Sequence, residues 1–350
     1  MDQLDELAKA IFSKTPTRGL AVASGTSQKI SKMRFMGSRL REGSSPVTER
    51  TFFDLQSITK VLSTGEVVAA LIAQNEIKLE TKLKDLLPEA VDRREKEAIT
   101  IRHLLTHTAG YSDSSLDEVP VKGEELRKAM FNAKLNCHPG QNSEYADVGY
   151  RLLGWALERR TSKKLDELAR NLVWKPLGLE GDLKYAPALT DFDEAAGKDT
   201  KSSREVDDEQ VRALGEIVGS DGMFGTLKGL SIFCQHTLRQ IRSNYQYRLS
   251  TGNNVSKKFT NFYDSLFEGK KIWAWEVPTS ADAAYCGKKW QPGVLEKSGG
   301  AGTFICILPE SDQFCVVLTN HGKPEPFESK PWNDLLVGLQ VQRLSEVLLS

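Results

Sequence analysis

The segment FFDLQSITKVLST, residues 52–64, says more about the fold than any other part of the chain. Its apolar start predicts an extended strand, and apolar residues then recur at helical spacing from Ser57 to about Gln74. A strand is therefore expected to lead directly into a helix, with Ser57 at the junction. The segment also contains Ser57-Ile-Thr-Lys60, the only Ser-x-x-Lys sequence in the chain.

Ser57 and Lys60 lie three residues apart, so a helix places them on one face and lets Ser57 Oγ meet Lys60 Nζ. Backbone N–H groups at a helix N-terminus also favour the negative charge that develops on an attacking serine. A lysine that loses its water there has a lowered pKa and can accept the serine proton. The spacing predicts a serine nucleophile assisted by a lysine. The alternative is an N-cap serine followed one turn later by a solvated lysine.

Two later motifs contain residues of related chemistry. Tyr145-Ala-Asp147 precedes a predicted helix, and a tyrosine beside a lysine can transfer protons when its phenol pKa is lowered. Lys297-Ser298-Gly299-Gly300 is expected to open the next-to-last strand. There the cation can hold an anionic or polar substrate group, and the glycines let backbone N–H groups approach a reacting carbonyl. The alternatives are a packed aromatic for Tyr145 and a simple strand entry for the glycines.

Predicted strands lie near both ends of the chain, and predicted helices lie between them. Residues 19–23 and 32–36 have the composition of early strands, and residues 303–308 and 314–319 that of late strands. A final helix is expected from about Trp332 to Leu349.

This order predicts a fold of the α/β plus all-α kind. An antiparallel sheet flanked by helices is assembled from both termini, and a helical insertion domain packs beside it. We expect residues 1–78 and 217–350 to form the α/β domain and residues 79–216 to form the mostly helical domain.

The composition excludes several classes of partner. The 350 residues include 47 Lys+Arg and 47 Asp+Glu, a formal net charge of +0. Such a balance disfavours binding to nucleic acid or to an anionic membrane surface. No stretch approaches the roughly 20 apolar residues that span a bilayer. The start of the chain shows no basic region followed by an apolar one, so a cytoplasmic protein is expected, unless a signal sequence has been removed.

Cysteine and histidine patterns give no sign of a metal or a cofactor. The five cysteines are scattered without a Cys-x-x-Cys pair, which argues against a disulfide framework or a zinc knuckle. His103 and His107 have the spacing of a helical metal pair, but no third ligand is evident in the sequence. Neither a Gly-x-Ser-x-Gly nucleophile elbow nor a Gly-rich phosphate loop occurs. We therefore predict no metal and no organic cofactor.

Taken together, the motifs Ser-x-x-Lys, Tyr-x-Asp and Lys-Ser-Gly resemble those of the penicillin-recognising serine enzymes. This group comprises class C β-lactamases, DD-peptidases and family VIII esterases, and the resemblance covers roughly the whole chain in order. The similar blocks are FFDLQSITKVLST (52–64), ITIRHLLTHTAGY (99–111), PGQNSEYADVGYRLLG (139–154), WKPLGL (174–179), SGGAGTFICILP (298–309) and VVLTNH (316–321).

The resemblance implies a β-lactamase/transpeptidase-like fold, with Ser57, Lys60, Tyr145 and Lys297 in the cleft between the two domains. It also implies a role for each motif residue. Ser57 would be the acylated nucleophile, Lys60 its proton acceptor or electrostatic partner, and Tyr145 the proton shuttle. Lys297 would line the cleft at a strand edge, and the backbone N–H groups of Ser57 and Gly300 would form the oxyanion hole. The remaining substrate-binding positions are Asp147, Ser298 and Gly299. The reaction would be hydrolysis through a covalent serine ester, without a cofactor, of a small ester, an amide or a short peptide.

Asp147 stands where β-lactamases and DD-peptidases usually have Asn. An amide both donates and accepts hydrogen bonds, whereas an ionised carboxylate only accepts them. Asp147 can pair with Lys60 and hold it charged. This departure favours ester or peptide hydrolysis, with β-lactamase or DD-carboxypeptidase activity as the alternative. A transferase in which an alcohol or amine replaces water, and a catalytically inactive scaffold or binding protein, are the further alternatives.

Overall fold

The computed structural model describes most of the chain, and the text below concerns that part. The described residues are 3–14, 17–40, 45–113, 121–188, 194–196, 205–251, 271–272, 274–278, 280, 284–291, 293–320, 344–345 and 347–349. The helix predicted for 332–349 lies largely outside these residues.

A seven-stranded antiparallel sheet organises the fold, with strand order β2-β1-β11-β10-β9-β8-β7. The strands are β1 (Gly19–Gly25), β2 (Ile30–Gly37), β7 (Lys271–Ile272), β8 (Trp275–Glu276), β9 (Leu295–Gly299), β10 (Thr303–Leu308) and β11 (Gln313–Thr319). The early strand β1 pairs with the late strand β11, so that Leu20 faces Thr319. The predicted antiparallel sheet built from both ends of the chain is therefore confirmed.

Helices cover both faces of this sheet. Those packed on the sheet are α1 (Gln3–Lys14) and α9 (Leu227–Thr251). The other helices among the described residues are α2 (Glu66–Ala73), α3 (Leu83–Leu86), α4 (Ile101–Leu105), α5 (Gly123–Phe131), α6 (Asp147–Thr161), α7 (Leu165–Ala169) and α8 (Glu209–Leu214). Alternate residues of β1 enter two separate cores: Ala21 belongs to the large core shared with the helical region, and Val22 to a smaller core shared with α1. Because both faces are covered, all seven residues of β1 are buried.

A second, four-stranded sheet was not predicted from the sequence. It has the order β4-β6-β3-β5. Its strands are β3 (Thr51–Asp54), β4 (Leu183–Tyr185), β5 (Glu194–Ala196) and β6 (Met223–Gly225). This sheet joins residues from 183–196 to the strand that precedes Ser57, because β3 pairs with both β5 and β6. The division into domains at residues 78 and 216 stays a prediction.

The helix predicted from Ser57 to Gln74 is present but changes its winding along its length. Residues Gln56–Ile58 form a 3₁₀ turn, Lys60–Gly65 a π-helical segment and Glu66–Ala73 the α-helix α2. π-Helical turns are rare, short and frequent at functional sites. The Leu62 carbonyl within the π-helical segment accepts a hydrogen bond from the Trp174 indole N–H at 2.9 Å.

The prediction that Lys297–Gly300 opens the next-to-last strand is wrong. Lys297 to Gly299 end strand β9, and a turn closed by the Gly302 N–H and the Gly299 carbonyl separates them from β10. The strand β9 was not recognised as a separate strand because its sequence, Leu-Glu-Lys-Ser-Gly, is largely polar although four of its five residues are buried.

Among the helices that the structure describes, none combines the length and the apolar character needed to cross a bilayer.

Candidate active site

Ser57 lies at the start of the helical run, and its hydroxyl meets two of the predicted partners. Lys60 Nζ donates a hydrogen bond to Ser57 Oγ at 2.9 Å, and Tyr145 OH lies 2.8 Å from the same oxygen. The side chain of Ser57 is only partly buried, whereas Lys60 is fully buried. Residues 88 positions apart in sequence therefore converge on one partly accessible hydroxyl.

Lys60 is surrounded by acceptors of its three N–H groups. Its Nζ lies 2.5 Å from Asp147 Oδ1 and 3.7 Å from Asp221 Oδ2. It also donates to the Ser220 carbonyl at 3.1 Å. Burial lowers the pKa of Lys60, but Asp147 and Asp221 more than offset this, and the pKa stands well above its usual value. Lys60 is therefore an ammonium at neutral pH, which differs from the lowered pKa expected from desolvation alone.

Tyr145 is positioned by His107 and by two lysines. Its ring stacks on the His107 ring with centroids 4.3 Å apart and an interplanar angle of 27°. Lys60 Nζ and Lys297 Nζ lie 5.0 and 4.7 Å from its ring centroid. Burial raises the pKa of the Tyr145 phenol and the two lysines lower it, with a net increase, so the phenol keeps its proton at neutral pH. The neighbouring Ala146 N–H donates to His107 Nδ1 at 3.2 Å, which holds the histidine under Tyr145.

Asp147 opens helix α6 and is ionised. Asp113 accepts the backbone N–H groups of Asp147 and Val148 at 2.7 and 3.2 Å, and so caps the helix from a distant part of the chain. Arg151, one turn later in α6, lies 4.0 Å from the second carboxylate oxygen of Asp147. Burial raises the pKa of Asp147, but Lys60 and Arg151 lower it further, to about 2. The proposed pairing of Asp147 with Lys60 is thus present in the structure.

Lys297 projects from β9 next to Tyr145 and pairs with Glu276 of the adjacent strand β8, with Nζ 2.9 Å from Oε1. Burial lowers the pKa of Lys297, but Tyr145 and Glu276 raise it more strongly, and it stands above its usual value. The cation predicted to line the cleft is therefore charged and already has a carboxylate partner.

Gly299 and Gly300 allow β9 to lie directly against the turn that contains Ser57. A Cβ on Gly299 would lie 2.4 Å from the Leu55 carbonyl oxygen, and one on Gly300 would lie 1.8 Å from Gln56 Oε1. At Gly299 the clash is with backbone, so a side chain there would push the strand away, whereas at Gly300 the Gln56 side chain would have to move. Ser298 is half-buried, and its side chain lowers the pKa of the Tyr285 phenol, which burial raises more strongly.

Asp54 fixes the backbone immediately before Ser57. Gln56 has a positive φ of 43°, a left-handed conformation that is costly for a residue with a side chain. The Asp54 carboxyl accepts the Gln56 N–H at 3.0 Å and the Asp207 N–H at 2.8 Å. Burial raises the pKa of Asp54 to about 7, although both hydrogen bonds lower it.

Asp54→Asn is expected to flatten the pH dependence of stability. In the unfolded chain an aspartate titrates near pH 4, so between about pH 4 and pH 7 only the folded state retains this proton. The free energy of unfolding therefore loses up to about 1.4 kcal/mol per pH unit as the pH rises, and Asp54→Asn removes that contribution. The variant also leaves one N–H without an acceptor, at a pH-independent cost of about 1–3 kcal/mol.

Urea unfolding at several pH values between 4.5 and 7.5 measures this effect. Asp85→Asn, at an exposed position of α3, is the matched control and should run parallel to the unmodified protein. Parallel curves for Asp54→Asn as well would show that Asp54 is ionised throughout this range.

Sequence reasoning missed four charged residues around the site, namely Asp113, Arg151, Asp221 and Glu276. Only Arg151 had a local signal, because an aspartate and an arginine at i and i+4 on a helix face each other. The other three are brought in by a loop, a turn and a two-residue strand, at sequence distances that no spacing rule covers.

The structure also shows how candidate metal ligands are used. His103 and His107 have separate partners: His103 Nδ1 accepts the Thr100 N–H at the start of α4, and His107 supports Tyr145. Carboxylate oxygens of Asp147, Asp208 and Asp221 lie within 4.8 Å of one another, but Lys60 and Arg151 already neutralise them.

One cluster of possible ligands lies outside the site, in the smaller core. Cys286, Glu296 and Cys306 place their ligand atoms within 4.8 Å of one another. The Glu296 carboxylate is already bonded to the backbone N–H groups of Tyr285 and Cys286, at 3.0 and 2.8 Å. All five cysteines are free thiols.

Ser57 and Lys60 lie one helical turn apart, Tyr145 contacts the Ser57 hydroxyl, and Lys297 lies on a strand beside them. This combination defines a class of serine hydrolases. The comparison with known families agrees, since the family model "Beta-lactamase" matches residues 4–339. The chain belongs to the Beta-lactamase family and is a serine hydrolase.

Relatives within this family differ in their described activities. The chain is 25% identical over 309 residues to the D-alanyl-D-alanine-carboxypeptidase/endopeptidase AmpH of Escherichia coli strain K12, covering 81% of this chain and 75% of AmpH. Among solved structures, EstCE1, a hydrolase with promiscuous acyltransferase activity, superposes with a TM-score of 0.73 at 18% identity, covering 99% of this chain and 97% of EstCE1. A class C β-lactamase from Rhodobacter sphaeroides gives 0.71 at 17% identity, with 97% of each chain covered. The structural likenesses confirm the predicted fold.

Proposed function

We propose that the protein hydrolyses small esters or short peptides through a covalent acyl-enzyme on Ser57. One observation carries the proposal: Ser57 Oγ lies simultaneously 2.9 Å from an ammonium, Lys60, and 2.8 Å from a phenol, Tyr145. A nucleophile held by a cation and by a proton-transferring group has the arrangement that nucleophilic catalysis requires.

The protonation states of Lys60 and Tyr145 favour a proton relay through Tyr145 over removal of the Ser57 proton by an unprotonated base. Lys60 is charged and Tyr145 is protonated, so neither takes up the Ser57 proton alone. We propose that Ser57 Oγ attacks the carbonyl carbon while its proton passes to the Tyr145 oxygen and the Tyr145 proton passes to the leaving group. The Lys60 ammonium stabilises the negative charge that develops on Ser57 Oγ, and the backbone N–H groups of Ser57 and Gly300 face the carbonyl oxygen.

Deacylation runs through the same groups in reverse. Water attacks the ester carbon and loses a proton to the Tyr145 oxygen, while the Tyr145 proton returns to Ser57 Oγ. The acyl group leaves as a carboxylic acid, and Lys60 and Tyr145 regain their starting states. The cycle balances without a metal or an organic cofactor.

Asp147 supports ester or peptide hydrolysis over penicillin turnover. Its carboxylate accepts hydrogen bonds only, and Lys60 already occupies one of its oxygens at 2.5 Å. It therefore offers no N–H donor to the carbonyl of a substrate side-chain amide. EstCE1 is named for hydrolase activity and AmpH for endopeptidase activity, which support the same range of substrates, while the carboxypeptidase activity for which AmpH is also named supports the alternative. The cytoplasmic location stays a prediction.

Intact-mass measurement after separate incubations with a p-nitrophenyl ester, ampicillin and a D-alanyl peptide tests the proposal. We expect a transient acyl adduct that maps to Ser57 with the ester, whereas an adduct with the D-alanyl peptide alone would favour the DD-carboxypeptidase alternative. An adduct with ampicillin alone would favour the β-lactamase alternative. The absence of any adduct, together with no labelling by a fluorophosphonate, would support an inactive scaffold or binding protein.

Tyr145→Phe is expected to lower kcat by about 10²–10⁴, the usual contribution of a general acid–base group. The loss should be larger for an alkyl ester than for a p-nitrophenyl ester, because the alkoxide leaving group needs the Tyr145 proton more. The phenylalanine ring can still stack on His107, so the fold should be retained. Parallel assays of both esters measure the effect, with Tyr111→Phe, a buried tyrosine outside the site, as the control. Equal losses on the two esters would exclude protonation of the leaving group by Tyr145.

A further inference from the structure

Glu276 and Lys297 form an ion pair that the proposed mechanism does not use. The two residues lie on the neighbouring strands β8 and β9, with Lys297 Nζ 2.9 Å from Glu276 Oε1. The Lys297 side chain is only 2% exposed, whereas that of Glu276 is 35% exposed. Glu276 is therefore the side chain of this pair that an arriving molecule can reach.

This pair lies close to the reacting atoms. Lys297 Nζ is 4.7 Å from the centroid of the Tyr145 ring, and the hydroxyl of that ring is 2.8 Å from Ser57 Oγ. A charged group on a substrate that is acylating Ser57, a few bonds from the scissile carbonyl, thus comes within Coulombic range of the pair.

The other two buried cations of the site, Lys60 and Arg151, also face carboxylates of the protein. Lys60 contacts Asp147 and Asp221, at 2.5 and 3.7 Å. Arg151 is 3.4 Å from Asp208 and 4.0 Å from Asp147. Because carboxylates of the protein already balance the charge of each cation, none of them is a ready binding partner for an anionic substrate.

We infer that Glu276 determines substrate charge, by restricting the site to acyl donors that lack a carboxylate near the scissile bond. The inference rests on the proposed function and narrows it to uncharged esters and amides. A substrate carboxylate would meet the like charge of Glu276 and would have to displace it from Lys297, whereas an uncharged acyl chain meets neither cost. A glutamine at position 276 keeps the size and the hydrogen bond to Lys297 but removes the repulsion.

The test compares two substrates with acyl chains of equal length, p-nitrophenyl hexanoate and mono-p-nitrophenyl adipate, which end in a methyl and a carboxylate respectively. The measured quantity is the ratio of kcat/KM for the adipate to that for the hexanoate, at low ionic strength where exposed charges are least screened. We expect this ratio to be about 0.1 in the unmodified protein and about tenfold higher in Glu276→Gln. The increase should come mainly from a lower KM for the adipate. Glu180→Gln, which removes an exposed charge before β4, should leave both rates unchanged.

An unchanged ratio in Glu276→Gln, with both esters turned over and Ser57 acylated, would overturn the inference and leave the proposed function intact. A ratio near or above one in the unmodified protein would overturn it in the same way. Failure of both esters to acylate Ser57 would overturn the proposed function, and the inference with it.

Discussion

Ser57→Ala is expected to abolish ester hydrolysis, with a loss of about 10³-fold or more, and to abolish labelling by a fluorophosphonate. The methyl group offers no oxygen to acylate, so only the background from binding and from the oxyanion hole remains. The lost hydroxyl is partly exposed and is bonded to Lys60 and Tyr145, which keep other contacts. The variant should therefore fold normally.

Labelling, initial rates and far-UV circular dichroism together measure this effect. Ser13→Ala, an exposed serine of α1, is the matched control and should behave like the unmodified protein. If Ser57→Ala were still labelled at the original rate, the nucleophile would have to be another residue and the proposed mechanism would be wrong.

Arg151→Met should destabilise the protein by about 3–5 kcal/mol, the cost of removing one partner from a buried charge network. Arg151 is 1% exposed, and its guanidinium bonds to Ser220 Oγ at 3.2 Å and to the Gln210 side chain. It also faces Asp208 and Asp147. Methionine fills a similar volume but leaves these carboxylates with less compensating charge.

The same helix supplies a control for this prediction. Arg159 is exposed and pairs with Glu89, so Arg159→Met should cost no more than about 1 kcal/mol. Urea unfolding of both variants gives the two values, and Arg151→Lys separates loss of charge from loss of the guanidinium geometry. Equal costs for the two methionine variants would show that the network around Arg151 contributes no more than a surface ion pair.

The parts of the site that the sequence predicted are those governed by local spacing. Ser57 and Lys60 meet because they lie one helical turn apart, and this holds even though the winding there is 3₁₀ and π-helical rather than α-helical. The meeting with Tyr145 and Lys297 was expected from the resemblance to the penicillin-recognising enzymes, and their roles stay predictions. Hydrophobic periodicity predicted the strands β1, β2, β10 and β11 of the large sheet for the same reason, since each contains six to eight residues.

The charge state of the site could not be predicted, because it depends on tertiary neighbours. Lys60 alone is expected to lose its proton on burial, and the opposite outcome follows from Asp147 and Asp221. The strands of the small sheet have only three or four residues, too few for a period to be recognised. The partner of Lys297 lies on a strand of two residues, which the sequence does not distinguish from a loop.

The wide turn at Lys60–Gly65 has a consequence for the length of the chain in this region. A π-helical turn contains about one residue more per hydrogen-bonded ring than an α-helical turn, as though a single residue had been inserted into an ordinary helix. Deleting one residue from this segment therefore lets the backbone close into an α-helix while the residues of α2 keep their orientation. Within the segment itself the Leu62 carbonyl, which accepts the Trp174 indole N–H, changes its position. A single-residue deletion is thus accommodated more easily here than in a regular α-helix, where it rotates the following residues by about 100°.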